Sequence, residues 1–464
     1  MKRMNNLCQM NLSKVTEQIR LRKLGICVVG IGRIGLPTAL SCANSGFSTI
    51  GVDINKKLID MINSNNFPLK DEPGYDSIFY KVIDKKIFQS TLDFSNGVNS
   101  SDIIILSLPT PMNSQNIPDY SALIDVCQKL NKIMDEGKLI IIESTVEPSF
   151  VENILIPIIE SHSKNYKAGK DFLIGVCPET ANPGEILNDF RNLPRLVGSI
   201  NENTTEIISF LYKTIFDVEI LKMPDCKTAN AVKLTTNVFR DINIAFVNEL
   251  AILYEKLEID IMTVLEAAKR KYNFQIHFPG AGVGGPCLPV NSYQLLNTEN
   301  QFNKKILDTV SSARKTNEKM PEHVINLISD AFNEIGADCK NKIICVLGIS
   351  YKPNVKDIQI TPAEKIIKNL SQNNTIKIFD PFFTGQTVFS NHVEENMEQA
   401  LENADCAVIV TGHKEFHSLS PSFLLTKLKS PIVVDCTGII DPKSAFDSGL
   451  IYRGIGRGKK FRKI

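Results

Sequence analysis

The segment Pro279–Asn291, PGAGVGGPCLPVN, sets four glycines and three prolines around one cysteine, Cys287. A thiolate is an intrinsically strong nucleophile, and glycines let a backbone come close to another group. Free cysteine is also among the most buried residue types, so packing is the competing reading of Cys287 taken alone. In NAVKLTTNVFRDINIAFVNEL, Lys233 and Asn237 stand four apart and share a helix face. A solvated face is the ordinary home of such a pair. The surrounding Ala, Val, Thr and Phe instead point to a half-buried lysine, a cation able to steady a developing alkoxide.

A third constellation is Gly30-x-Gly32-x-x-Gly35, after a β-branched run and at the head of a helical stretch. There Gly30 permits a tight turn, Gly32 admits a pyrophosphate to the backbone, and Gly35 lets helix and strand pack. Asp53 closes the next strand 18 positions after Gly35, where a carboxylate binds both ribose hydroxyls and repels a 2′-phosphate. Together they predict a dinucleotide site that prefers NAD to NADP. ESTVEP (Glu143–Pro148) and CPETANPGE (Cys177–Glu185) follow apolar runs, at the sheet edge where open α/β folds bind ligands. Each alone also reads as an ordinary turn.

The elements that carry these residues alternate. After GICVVG come apolar runs in SDIIILSLPTP, GKLIIIESTV, DFLIGVCPE and RLVGSI, separated by helical stretches. This pattern predicts a parallel sheet covered on both faces. From Lys227 to Arg270 a repeat without Gly or Pro predicts a long helix, broken at most once. KIICVLGISYK, IKIFDP, DCAVIVTGH and PIVVDCTG then predict a second sheet. The expected fold is α/β: two Rossmann-like doubly wound parallel-sheet domains joined by a long central helix. The expected divisions are an N-terminal extension (1–24), a dinucleotide-binding domain (25–215), a central helical domain (216–325) and a C-terminal α/β domain (326–464).

At 464 residues several cores are required. Charges nearly cancel, 52 basic against 51 acidic, which gives no field to gather nucleic acid or an anionic membrane and favours small solutes as partners. Eleven scattered cysteines without a CxxC pair argue against a disulfide framework or a zinc knuckle and fit a reducing cytosol. No metal is implied. No run approaches the roughly 18 apolar residues of a membrane span, residues 1–24 lack an apolar signal core, and the basic end after Tyr452, RGIGRGKKFRKI, reads as solvated.

With these motifs in this order, the chain from about Gly25 to Gly438 resembles the nucleotide-sugar dehydrogenases, the UDP-glucose and GDP-mannose dehydrogenase family. The resemblance implies a cytoplasmic, NAD-dependent enzyme that oxidises the 6-hydroxyl of a UDP-sugar to a carboxylate in two steps, through a cysteine thiohemiacetal and thioester, for polysaccharide biosynthesis. It makes Cys287 the nucleophile and Lys233, assisted by Asn237, the stabiliser of the alkoxide. It has Thr145 order the hydrolytic water and Glu179 stand near the sugar for proton transfer. Gly30, Ile31, Gly32, Arg33, Ile34, Gly35, Asp53, Pro109, Thr110 and Thr145 are expected to contact NAD. Glu179, Lys233, Asn237, Arg270, Gly282, Gly284, Gly285, Tyr351 and Lys352 are expected to contact the UDP-sugar. Homodimerisation through the central helix is implied as well, with Phe239, Phe246 and Leu253 as contacts.

PGAGVGG and CPETANPGE look closer to the enzymes for UDP-N-acetylhexosamines, such as UDP-N-acetylmannosamine, than to the UDP-glucose type, which has a second glutamate at the place of Pro183. Three positions depart from the pattern: Asn291 stands where an aspartate is usual, Gln359 replaces an arginine, and Thr180 follows Glu179 where the acetamido type often has arginine. Two other readings compete, a non-catalytic binder of NAD and UDP-sugar and a hydroxyacid dehydrogenase consuming one NAD. The cysteine loop and the third domain have no task in the latter.

Overall fold

A computed structural model describes residues 5–161 and 164–457. The chain forms two compact units, residues up to Thr236 with Tyr293–Asn303, and Asn237–Ser292 with residues from Lys304 onward.

The first unit is built on eight strands: β1 (Ile26–Val29), β2 (Thr49–Val52), β3 (Phe88–Thr91), β4 (Ile103–Leu106), β5 (Leu139–Ile142), β6 (Leu173–Val176), β7 (Arg195–Ser199) and β8 (Ile220–Lys222). Their order is β3-β2-β1-β4-β5-β6-β7-β8. The central runs ICVV, IIIL and LIII are buried along their whole length, as expected for strands with a core on each face. The order reverses between β1 and β4, the position where open α/β sheets bind ligands. Two features differ from the sequence expectation. The sheet extends past residue 215 to include β8, and β7 runs antiparallel to β6, Gly175 pairing with Ser199 and Val176 with Gly198. This reversal puts the start of β7, Arg195, beyond the carboxyl end of β6. The N-terminal extension is folded too: Asn11 caps the helix Leu12–Arg20, whose Val15 and Ile19 are buried.

The second unit carries β9 (Ile343–Leu347), β10 (Thr375–Phe379), the small hairpin β11 (Thr387–Val388) and β12 (Asn391–His392), β13 (Cys406–Ile409), β14 (Ile432–Asp435) and β15 (Ile451–Gly454). Its main sheet is ordered β10-β9-β13-β14-β15 and is parallel throughout. The basic end read as solvated is in part structural. Residues 451–454 form β15, with Arg453 bonded to Asp330 at 2.6 Å and Glu334 at 2.5 Å. Gly456 N donates to Glu255 Oε1 at 2.6 Å. Residues 458–464 of that segment lie outside the described residues.

The long helix runs Cys226–Lys256, its first turn capped by Asp225 Oδ1 on Thr228 N at 2.8 Å. After one break it resumes as Ile261–Ala268, capped by Asp260. Beside apolar positions such as Leu234, Val238, Val247 and Ala251, it buries a row of polar ones. Asn230, Lys233, Asn237, Asp241 and Asn248, at spacings that keep one face, are buried, whereas Phe239, Phe246 and Leu253 are about half exposed (47%, 49% and 49%). Among the described residues no helix is long and apolar enough to cross a membrane.

Candidate active site

In the first unit the β1 turn has the geometry a dinucleotide needs. Gly30 adopts φ +86°, and a Cβ there would lie 2.6 Å from Ser107 O. A Cβ on Gly35 would collide with Gly30 O, whereas one on Gly32 meets nothing within 4 Å. Two glycines therefore serve packing and the third leaves an open approach to the helix N-terminus, a fit for a pyrophosphate. Asp53 ends β2, partly exposed, its Oδ1 accepting from Asn55 N at 2.8 Å. Ile31 is buried and Ile34 partly so. Arg33 is engaged with two carboxylates, Asp71 at 2.7 Å and Glu72 at 2.9 Å. Glu72 Oε1 also accepts from Gly184 N at 2.8 Å, which ties the CPETANPGE loop to the same corner.

Pro109 and Thr110 follow β4 and are joined to the ESTVEP loop: Thr110 Oγ1 donates to Thr145 O at 2.9 Å, and Leu108 N to Ser144 Oγ at 2.8 Å. Gln294 Nε2 also donates to Thr145 O, at 3.1 Å. Glu147 Oε1 accepts from Tyr120 OH at 3.0 Å and from Asn297 Nδ2 at 2.8 Å.

The reversed β7 sets the electrostatics next to this corner. Arg195, stacked on Phe190 and Phe216, donates to Glu179 Oε2 at 2.5 Å. The other Glu179 oxygen accepts from the amides of Thr180 and Ala181 at 2.6 and 2.7 Å. Glu179 thus joins Arg195 to the start of its own loop. Burial, and then the Glu179 charge, pushes the neighbouring Glu143 up to about 8.

In the second unit Cys287 is partly exposed at the head of the helix Leu288–Thr298, where Asn291 N donates to Cys287 O at 2.8 Å. Eight of the eleven cysteines are buried, and burial pushes thiols such as Cys27 up to about 12. Of the other two partly exposed ones, Cys8 is pushed up to about 11, by burial first and then by Asp171 and Glu136, and Cys339 lies 3.5 Å from Ser329 Oγ.

Three of the four glycines before Cys287 face the protein itself, whereas a Cβ on Gly280 would meet nothing within 4 Å. Gly285, at φ +89°, would place a Cβ 2.6 Å from the Tyr351 ring, Gly284 one 2.5 Å from Ile360 O, and Gly282 one 3.0 Å from Asn317 O. Their side-chain directions are filled, so a ligand can meet them only through backbone atoms. Gly285 N donates to Gln359 O at 2.9 Å, and the Gln359 side chain turns back on Asp357 Oδ2 at 3.2 Å. Tyr351 and Lys352 lie partly buried after β9, and Arg270 is exposed just past Ala268. Asn237 Nδ2 donates to Asn291 Oδ1 at 2.5 Å.

Beyond Asn237 the buried face of the long helix continues through residues that sequence reasoning passed over. Asp241 accepts from Ser292 Oγ at 2.7 Å, Arg314 Nη1 at 2.8 Å and Asn317 Nδ2 at 2.8 Å. Their signal was present: Asp241 is four residues after Asn237, and Asn248 seven further on.

A doubly wound sheet with this turn, this terminal carboxylate and a partly exposed cysteine at a helix N-terminus defines an NAD-dependent dehydrogenase. The family's NAD-binding domain matches residues 24–216, its central domain 227–319 and its UDP-binding domain 345–442. The chain belongs to the UDP-glucose/GDP-mannose dehydrogenase family. It is 32% identical over 434 residues to the UDP-N-acetyl-D-mannosamine dehydrogenase of Pyrococcus horikoshii, covering 93% of this chain and 99% of that one. The solved structure of the Pyrococcus horikoshii UDP-D-ManNAc dehydrogenase superposes with a TM-score of 0.87 at 32% identity, over 94% of this chain and all of the other. The NDP-N-acetyl-D-galactosaminuronic acid dehydrogenase of Methanosarcina mazei Go1 gives 0.82 at 28% identity, over 98% and 100%. The protein is a UDP-sugar dehydrogenase by family, with an NAD-binding and a UDP-binding domain.

Proposed function

We propose that the protein oxidises the C6 hydroxyl of a UDP-N-acetylhexosamine, with UDP-N-acetylmannosamine the first choice, to the uronic acid for polysaccharide biosynthesis. The observation that carries the covalent reading is the placement of Cys287, partly exposed at a helix N-terminus in a chain whose cysteines are otherwise mostly buried. The Gly30–Gly35 turn would hold the NAD pyrophosphate and Asp53 its ribose, and NAD bound there would supply the hydride acceptor for both oxidations at C6. In the first, Lys233 stabilises the alkoxide as the alcohol becomes an aldehyde. The Cys287 thiolate then adds to the aldehyde carbon, and the second oxidation converts that thiohemiacetal into a thioester. Water, whose ordering is assigned to Thr145, attacks the thioester, which releases the carboxylate and returns the thiol. The balance is one alcohol, two NAD and one water in, and one carboxylate, two NADH and three protons out.

Tyr351 and Lys352, on the loop after β9, are assigned to the UDP-sugar, as are backbone atoms of Gly282, Gly284 and Gly285. Arg270 is assigned to the substrate of a neighbouring copy. The half-exposed Phe239, Phe246 and Leu253 support a homodimer through the long helix, since a line of apolar side chains facing water calls for a partner. The names of the similar enzymes support the choice of sugar. A panel of UDP-sugars assayed for NADH per sugar tests the reading. Two NADH per UDP-N-acetylhexosamine are expected, and one NADH with no acid formed contradicts it.

A further inference from the structure

The Cys287 segment is held on both sides by one buried polar relay. Downstream, Ser292 Oγ donates to Asp241 Oδ2 at 2.7 Å. Upstream, Gly280 N donates to Asn248 Oδ1 at 3.0 Å, Asn248 Nδ2 to Asn317 Oδ1 at 2.9 Å, and Asn317 Nδ2 to Asp241 Oδ1 at 2.8 Å. Arg314 Nη1 balances the carboxylate charge at 2.8 Å. Asp241, Asn248, Ser292, Arg314 and Asn317 are all at most 3% exposed. Gly280 and Ser292 bracket Cys287 by seven and five residues, and both lines converge on the same carboxylate.

A buried ion pair with amides is no more stable than well-packed apolar side chains of the same volume, so stability does not account for the relay. What a buried network of this kind supplies is geometry, because Asn317 Nδ2 bonds both the backbone oxygen and Oδ1 of Asp241, at 3.0 and 2.8 Å, and so ties the relay to one place on the long helix. We propose that Asn248, Asn317 and Asp241 are positioning residues that fix both flanks of the Cys287 loop and thereby the reach of the thiol toward the aldehyde carbon. The inference rests on the covalent reading of Cys287. The first oxidation does not use the thiol, so the relay acts on the second.

The test uses the full-length protein with Asn248→Ala, which frees the upstream flank, and Ser292→Ala, which frees the downstream one. Three quantities are read: the rate of Cys287 alkylation by iodoacetamide, located by peptide mass spectrometry; the ratio of trapped aldehyde to acid; and the affinity for NAD. Each alanine variant is expected to change the alkylation rate and to raise the aldehyde-to-acid ratio on the order of tenfold, because small displacements of a reacting group cost rate steeply. Affinity for NAD stays within about twofold, since its site lies on other elements. Ser292→Thr, which keeps the hydroxyl, and Asn248→Asp, which keeps the acceptor for Gly280, recover much of the loss. A purely structural role lowers the melting temperature and leaves alkylation and partition below it unchanged, and that result overturns the proposal. Should Asn248→Ala not fold, equal behaviour of Ser292→Ala and Ser292→Thr overturns it alone. Alkylation needs no turnover, so failure of the covalent reading, seen as undiminished acid from Cys287→Ala, is distinguishable from failure of the relay.

Discussion

Asn237 donates its side-chain amide to Asn291 Oδ1 at 2.5 Å, so the residue four places beyond Cys287 is a neutral acceptor held by the long helix. An amide cannot take a proton from water, so in the proposed mechanism Asn291 does not serve as the base of the hydrolytic step. Asn291→Asp keeps the acceptor and adds a base. The unmodified enzyme is expected to carry a sugar thioester on Cys287 in the steady state, and Asn291→Asp to reduce that adduct severalfold. Intact-protein mass spectrometry after acid quenching reads both, and equal adduct in the two proteins contradicts this role for Asn291.

Asp53 at the end of β2 should set the cofactor preference. A 2′-phosphate would meet its carboxylate, so NAD is preferred to NADP, and Asp53→Ser narrows the ratio of kcat/KM values by on the order of tenfold or more. Equal use of both cofactors by the unmodified protein contradicts the assignment.

Glu143 gives a pH dependence whose sign follows from its raised value, 4.5 to about 8. In the folded protein it keeps its proton across that interval while the unfolded chain ionises, so its contribution to stability is present in acid and falls as pH rises toward 8. Glu143→Gln cannot ionise and retains an acceptor for Thr38 Oγ1, which donates to it at 3.0 Å. Melting temperatures of variant and parent should therefore shift in the variant's favour as pH rises. A difference independent of pH contradicts the assignment of the proton to Glu143.

Phe246 is half exposed on the long helix, opposite the buried face of Asn248. Phe246→Asp should convert a dimer to a species with the mass of one chain at micromolar concentration by light scattering. An unmodified protein that is already monomeric there removes the dimer proposal.

Local patterns were legible in the sequence, and pairings between distant segments were not. The Gly30–Gly35 turn and Asp53 are readable because one βαβ unit places both. Lys233 and Asn237 are readable from helical spacing, and both are buried, 7% exposed each. Asp241 was passed over because its donors, Ser292, Arg314 and Asn317, come from 51, 73 and 76 residues away. The pairing of Glu179 with Arg195 was not legible because Arg195 arrives only through the antiparallel turn of β7, against an expectation of parallel strands. The basic end looked solvated because Arg453 finds its carboxylates on the helix Asp308–Glu334, over a hundred residues earlier. What lies on the side-chain side of Gly284 and Gly285 was not legible in the sequence. Their neighbours, Tyr351 and Ile360, belong to the loop after β9, which no local pattern brings near.

The central claim is that Cys287 carries the second oxidation and not the first. The direct measurement is Cys287→Ala with UDP-N-acetylmannosamine and NAD, following NADH, trapped aldehyde and uronic acid together. The account predicts that acid formation is lost while interconversion of the alcohol and aldehyde by NAD remains measurable. Acid produced at the parent rate by Cys287→Ala would contradict it and return this cysteine to a packing role.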